Sequence, residues 1–422
     1  GDVQLWQTGS QVRDGDLRVA ASHLLLTRLS DGDVLRLHGM PGKPARVHVQ
    51  EMSIAGPQIE FDPQDNRVEI MGAGQADLQV STNLSGEKLA TPSHITVVWN
   101  GQMEFRANRV SFDGGVHARQ DSRERRDGAE IHEWNRLTCR RLDIYLDRSV
   151  NLSTWNSESR RESLSAEQRP KIRRVVCHPT TESGQSVPVE LIGQALRNGH
   201  LTRSQRILAN EIVFDNDTGE IVAQASEGKS GEFRLFQAGH ETTMPEELIR
   251  SAATTAESSS GQLIQVRFRR SLRANHKTQA MAFGDLVTAT YSATADDQAT
   301  VNPESLPVNA FLMRCRNLEV SLVRGSGRRF VTMLAEGKAE IEGSEFSGQA
   351  DVIKYDESKK QLVIFDSVEG NPVTLHYAEA KGREPLTVRG RTIYYWQATR
   401  EFRGVGLIGA EGQQRPRGQP QP

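Results

Sequence analysis

Apolar and polar residues alternate with a period of two along most of this 422-residue chain. Arg67-Val68-Glu69-Ile70, Gln265-Val266-Arg267-Phe268-Arg269 and Asn371-Pro372-Val373-Thr374-Leu375-His376-Tyr377 all show it. In an extended backbone this puts one set of side chains on a core face and the other in solvent. Turn formers punctuate the segments: Ser30-Asp31-Gly32-Asp33, Asp113-Gly114-Gly115, Asn216-Asp217-Thr218-Gly219 and Glu357-Ser358-Lys359-Lys360. Asn, Asp and Gly there supply local hydrogen bonds or positive φ, so the pattern predicts consecutive antiparallel hairpins. One stretch reads as a helix. Met244 to Ala256 has Thr243 as N-cap, Pro245 early, and Glu246 and Glu247 in its first turn. It runs into a Ser/Thr-rich linker ending at Gly261.

A hairpin is used three times. Gly56-Pro57-Gln58-Ile59-Glu60-Phe61-Asp62 through Val68-Glu69-Ile70 aligns without gaps with Ala209-Asn210-Glu211-Ile212-Val213-Phe214-Asp215 through Ile221-Val222-Ala223. Both align with Ala350-Asp351-Val352-Ile353-Lys354-Tyr355-Asp356 through Leu362-Val363-Ile364, and Thr392 to Gly406 is a looser fourth copy. Each has an apolar and an aromatic residue two apart, an Asp that opens a polar turn, and a return strand. A second repeat is independent of the first: Leu137-Thr138-Cys139-Arg140-Arg141-Leu142 parallels Met313-Arg314-Cys315-Arg316-Asn317-Leu318. Apolar residues follow each Cys at +3, +5 and +7, so the in/out phase changes once, as at a bulge or a bend between two faces. Upstream, Val110 to Ala118 loosely resembles Met281 to Ala289. Long repetitive architectures grow by adding such units. The boundaries read as a partial β lobe at 1–90, a second at 91–240, helix and linker at 241–261, a third lobe at 262–410, and a disordered tail at 411–422.

Composition narrows the function classes. The 52 Lys+Arg and 54 Asp+Glu leave a net charge of −2, which fits neither a globally basic nucleic-acid binder nor a polyelectrolyte tail. The longest apolar patches are short ones such as Leu24 to Leu26, so no membrane-spanning helix is expected. Cys139, Cys177 and Cys315 are too widely spaced for a zinc knuckle or a redox C-x-x-C pair, and are expected as buried thiols. Eleven histidines show no metal-ligand spacing, and there is no phosphate-cradling loop or nucleophile elbow. No cofactor, metal or catalytic residue is expected. Asp62, Asp215 and Asp356 are equivalent repeat positions and fit turn capping better than acid–base chemistry.

At the repeated hairpins the chain resembles the LptA/OstA-like family of lipopolysaccharide-transport proteins. The resemblance rests on the pattern small-Asp/Asn-x-Ile-x-aromatic-Asp, polar turn, apolar return strand and Gly, clearest from Ala350 to Ile364 with Gly370 beyond. It implies an all-β, open antiparallel β-jellyroll (β-taco-like) in two to three lobes, whose concave apolar groove holds acyl chains. It also implies a non-enzymatic protein of the periplasm or cell envelope that binds lipopolysaccharide or a similar glycolipid and pairs edge to edge with itself or other transport components. The chain opens Gly1-Asp2-Val3, with any secretory signal removed or outside it.

The inward row of such a groove would comprise Ile59, Phe61, Ile212, Phe214, Ile353, Tyr355, Leu362 and Ile364, or these would fill an ordinary core. Arg267, Arg269 and Arg270 are headgroup candidates, because guanidinium pairs with phosphate bidentately. The alternative is a structural or adhesive β-repeat module contacting protein or polysaccharide.

Overall fold

The computed structural model describes residues 3–7, 17–29, 32–49, 52–82, 88–126, 128–150, 152, 170–182, 185–238, 261–307, 310–325, 328–343, 346–359, 361–366, 372–377, 386–396, 399 and 401–411. Strands make up most of them, and the three-residue turn Glu357–Lys359 is the one helical element among the described residues. The all-β expectation is met. The helix expected at 244–256 and the tail beyond 411 lie outside the described residues. No helix among them is long and apolar enough to cross a membrane. The chain divides into two compact units, Gly1–Leu201 with Ile207–Ala223, and Thr202–Arg206 with Gln224–Pro422.

The first unit has two layers of antiparallel strands. The upper layer pairs Leu17–Ala21, Ala45–Val49, Met52–Gly56, Gly74–Thr82 and Lys88–Trp99 in succession. The lower pairs His23–Leu29, Gly32–His38, Gln58–Asp62, Arg67–Met71 and Gln102–Arg106. Arg109–Arg126 belongs to both, pairing with Gln102–Arg106 at its start and Lys88–Trp99 at its end. Its partner Ala129–Leu146 crosses back, and the register between them shifts at Asp113/Val116. Asp113-Gly114-Gly115, expected as a hairpin turn, instead lies within Arg109–Arg126, where Gly114 and Gly115 make the bend with φ of 93° and 90°. A Cβ on Gly114 would lie 2.2 Å from the Gly101 nitrogen, so sterics and dihedral both demand glycine. The layers face each other: the rings of Trp99 above and Phe112 below are 5.1 Å apart.

The second unit repeats the scheme. Gly231–Gln237, Gly261–Phe268, Val373–Tyr377 and Leu386–Gly390 are upper strands, while Ser271–Asn275, Gln361–Phe365, Thr392–Trp396 and Glu401–Val405 are lower ones. Ala280–Thr294, Ala310–Gly325, Arg328–Glu342 and Phe346–Asp356 cross between layers, with register shifts at Gly284/Val287, Arg314/Asn317 and Glu336/Ala339. The phase change after Cys139 and after Cys315 is therefore this bend. The likeness of Val110 to Ala118 and Met281 to Ala289 has the same origin. At the second site Asp285 and Leu286 adopt φ of 62° and 49°, a region in which glycine is at ease and leucine is not.

Residues opposite one another in an antiparallel pair share a face, so register traces rows of side chains across the lower layer. In the first unit the row nearest the bend runs Leu37, Ile59, Ile70, Met103, Phe112, Leu142, Cys177, Ile212. All are buried. In the second unit it runs Leu272, Phe283, Leu318, Ala335, Ile353, Ile364, Ile393, again all buried. Each large aliphatic or aromatic side chain so removed from water contributes about 1.5–3 kcal/mol.

Candidate apolar cleft

One row further from the bend, the two units differ in burial. In the first, Leu35, Phe61, Val68, Phe105, Val110 and Ile144 lie opposite one another in sequence and are half-buried, and the row ends in the buried Val175 and Phe214. In the second, the row is Met281, Val320, Met333, Tyr355, Leu362, Tyr395, Phe402. Its far end is packed shut by aromatic rings from both layers, Tyr377 lying 5.2 Å from Phe402 and 6.0 Å from Tyr395.

Its near end is not filled. A cleft of about 60 Å³ lies between the layers of the second unit. Phe233, Leu235, Ile264, Val266, Ala289, Tyr291, Phe311 and Met313 wall it above, and Met281, Phe283, Leu318, Val320 and Met333 below. Among the described residues, Thr290 is the one other along its wall, and none of those lining it is charged. Leu235, Ile264, Met281 and Val320 are half-buried, so part of this apolar wall meets solvent. Such a surface favours a hydrocarbon occupant over water because transfer of apolar area is favourable without needing direction.

Tyr291 stacks on Phe311 with centroids 5.1 Å apart and is 1 % exposed. Its hydroxyl makes no hydrogen bond among the described residues, and burial pushes the phenol well above its ordinary range.

No family model and no curated protein matches the chain.

The eight residues expected as the inward row all face the interior. Ile353, Tyr355, Leu362 and Ile364 share the lower face with the cleft wall, Tyr355 lying directly opposite Met333. None of them lines the cleft itself. Ile59, Phe61, Ile212 and Phe214 belong to the two rows of the first unit, and only Phe61 is half-buried. The basic candidates sit elsewhere. Arg267 projects from the face opposite Val266 and lies 3.7 Å from Glu232. Arg269 and Arg270 are exposed at the bend, where their backbone N–H groups donate to the carbonyls of Asp285 and Gly284 at 2.9 and 3.1 Å.

The repeated aspartates cap turns. Gln64 and Asp65 donate backbone N–H to Asp62 Oδ1 at 3.1 Å each, Thr218 donates to Asp215 Oδ1 at 2.9 Å, and Ser358 to Asp356 Oδ1 at 3.0 Å. The Thr218 bond holds the Asp215 carboxyl below its ordinary range. All three cysteines are buried thiols, as expected.

The cleft lies around the second bend, not at the thrice-used hairpin. Its signal in the sequence is the density of Met and Phe on one phase at Met281-x-Phe283 and Phe311-x-Met313, flexible thioethers being suited to an adaptable wall.

Proposed function

We propose that this chain is a non-enzymatic cell-envelope protein of the LptA/OstA-like kind, which holds or bridges lipopolysaccharide-like amphiphiles with acyl chains between its two layers. The observation that carries this reading is the cleft of the second unit, apolar on both walls and partly open to solvent. Each methylene placed there contributes about 0.8 kcal/mol, so a chain of modest length offsets the loss of mobility on binding. The half-buried row from Leu35 to Ile144 supports a similar role for the first unit. Among the described residues, Glu401–Val405 pairs on one side only, which leaves an edge at which a further chain of the transport route can add.

The test is a titration of the purified chain with lipopolysaccharide carrying a fluorescent acyl reporter. Saturable binding, displaced by unlabelled lipid A and weakened by Val320→Asp, is expected. A folded chain that binds none of the reporter contradicts the proposal.

One observation favours the second reading, a module that contacts polysaccharide. Tyr394 and Trp396 stack at 5.9 Å on the outer face of Thr392–Trp396, beside Arg403, and aromatic platforms of this kind take up sugar rings. Binding of soluble glycans that is lost in Trp396→Ala and unaffected by Val320→Asp distinguishes it.

A further inference from the structure

We propose that the hydroxyl of Tyr291 is a hydrogen-bonding point for a neutral oxygen carried on an aliphatic chain, so that the cleft selects hydroxylated or esterified chains over plain hydrocarbon. This rests on the apolar-cleft reading and narrows it. Tyr291 lies opposite both Ile264 and Phe311, which wall the cleft, and so shares their inward face. Side chains on a strand stand nearly perpendicular to the sheet. The ring held against Phe311 therefore points between the layers, where its hydroxyl lies covered by the apolar lining, so an occupant reaches it by displacing part of that lining. A buried hydroxyl without a partner is costly, and very few native ones are left so. The hydroxyl both donates and accepts, so a carbonyl, ester or alcohol oxygen completes it equally well. A carboxylate or phosphate does not fit, because no charged side chain of the wall offsets its desolvation.

The experiment displaces a solvatochromic naphthalene dye from the full chain with dodecane or dodecanol, in the wild type and in Tyr291→Phe. A preference of about three- to tenfold for dodecanol in the wild type, abolished in the variant, is expected from one buried hydrogen bond. Equal binding of the two probes by the wild type, or a preference retained by the variant, overturns the role of Tyr291 and leaves the cleft standing. Binding of neither probe removes the apolar-cleft reading, and this inference with it.

A second inference stands on a different observation. Cys139 faces inward at the end of the upper half of its strand, and three residues later, beyond the bend, Leu142 faces inward on the lower layer. Cys177 lies directly opposite Leu142, which brings the two thiols to the bend, where the layers converge. The two thiols lie close enough for Cys139, with burial, to push the Cys177 thiol up, and both are buried. In the second unit Cys315 and Leu318 repeat the pattern, but Ala335 occupies the place of Cys177. The geometry points to Cys139 and Cys177 as a disulfide pair that staples the layers of the first unit, with Cys315 as an unpaired internal control. The oxidant is a small-molecule disulfide. The Cys139 thiolate displaces one of its sulfurs, and the Cys177 thiolate then attacks the Cys139 sulfur of the mixed disulfide. Two thiols leave, carrying the two protons and two electrons that the cysteines give up. Because both sulfurs are shielded, exchange takes place before the layers close.

The full chain is produced in an oxidising compartment and in a reducing one, then denatured and alkylated without reductant. One reactive thiol from the first, assigned to Cys315 by peptide mapping, and three from the second are expected. Three thiols in both preparations, or a bridge that includes Cys315, overturns the pairing.

Discussion

Ile353 lies directly opposite Ile364 across the third copy of the repeated hairpin, as Ile59 lies opposite Ile70 across the first. The repeat seen in the sequence is therefore a repeat of rows. Its first apolar position (Ile59, Ile212, Ile353) always falls in the row beside the bend, and its aromatic position (Phe61, Phe214, Tyr355) in the next row out.

The two rows respond differently to polar substitution. Ile353 is 1 % exposed and Ile212 fully buried, so Ile353→Asp or Ile212→Asp strands a carboxylate in the core and costs more than about 4 kcal/mol. Phe61 is half-buried, and Phe61→Ser costs only about 1–2 kcal/mol. Chemical denaturation of the three variants checks the contrast.

The bends give a prediction of opposite signs. Gly114→Ala adds a Cβ in contact with the Gly101 backbone and a left-handed penalty of about 1–2 kcal/mol, so it destabilises by at least that amount. Leu286 is left-handed and 56 % exposed, and little packing is lost on truncation. Leu286→Gly relieves the penalty, less about 0.4–1 kcal/mol of added freedom in the unfolded chain, for a net gain of roughly 0.5 kcal/mol. Thermal melts of both variants read the two signs.

Asp143, 3 % exposed on the outer face of the lower layer, sets an acid limit. It accepts from Arg109 Nη2 at 2.9 Å and Arg141 Nε at 3.1 Å, and lies 3.2 Å from His178 Nε2. Desolvation raises its pKa, but hydrogen bonds from Ser111, Arg109 and Arg141 outweigh this and hold it below the ordinary 3.8. A depressed folded pKa contributes stability that is present above the unfolded value and lost as pH falls through the folded one. Stability is thus expected to fall off below about pH 4, with a shallower slope in Asp143→Asn. Denaturation midpoints between neutral pH and pH 3 test it.

Tyr291→Phe is expected to raise the stability of the unliganded chain by about 1–3 kcal/mol, since it removes a buried hydroxyl that makes no hydrogen bond. A drop in melting temperature contradicts this.

Much of the fold was legible because strand period and turn residues are local signals. The phase change after Cys139 and Cys315 announced the bend, whereas Asp113-Gly114-Gly115 reads as a hairpin turn in sequence and lies within the strand Arg109–Arg126. The cleft was less legible, since which inward residues are packed and which line empty space depends on the opposing layer. Tyr355 and Met333 share a row, but only Met333 reaches the cleft. Arg267 next to Val266 reads as basic and convergent in sequence, whereas alternation sends it to the opposite face.

The central claim, that an amphiphile's chain lies between the layers, is tested most directly at Val320 and Glu319, neighbours on opposite faces of one strand, the first at the cleft wall and the second exposed. A benzophenone side chain placed at each position in turn is irradiated with bound lipopolysaccharide. Crosslinking from position 320 and none from 319 is the predicted result, and crosslinking from 319 with none from 320 contradicts the account.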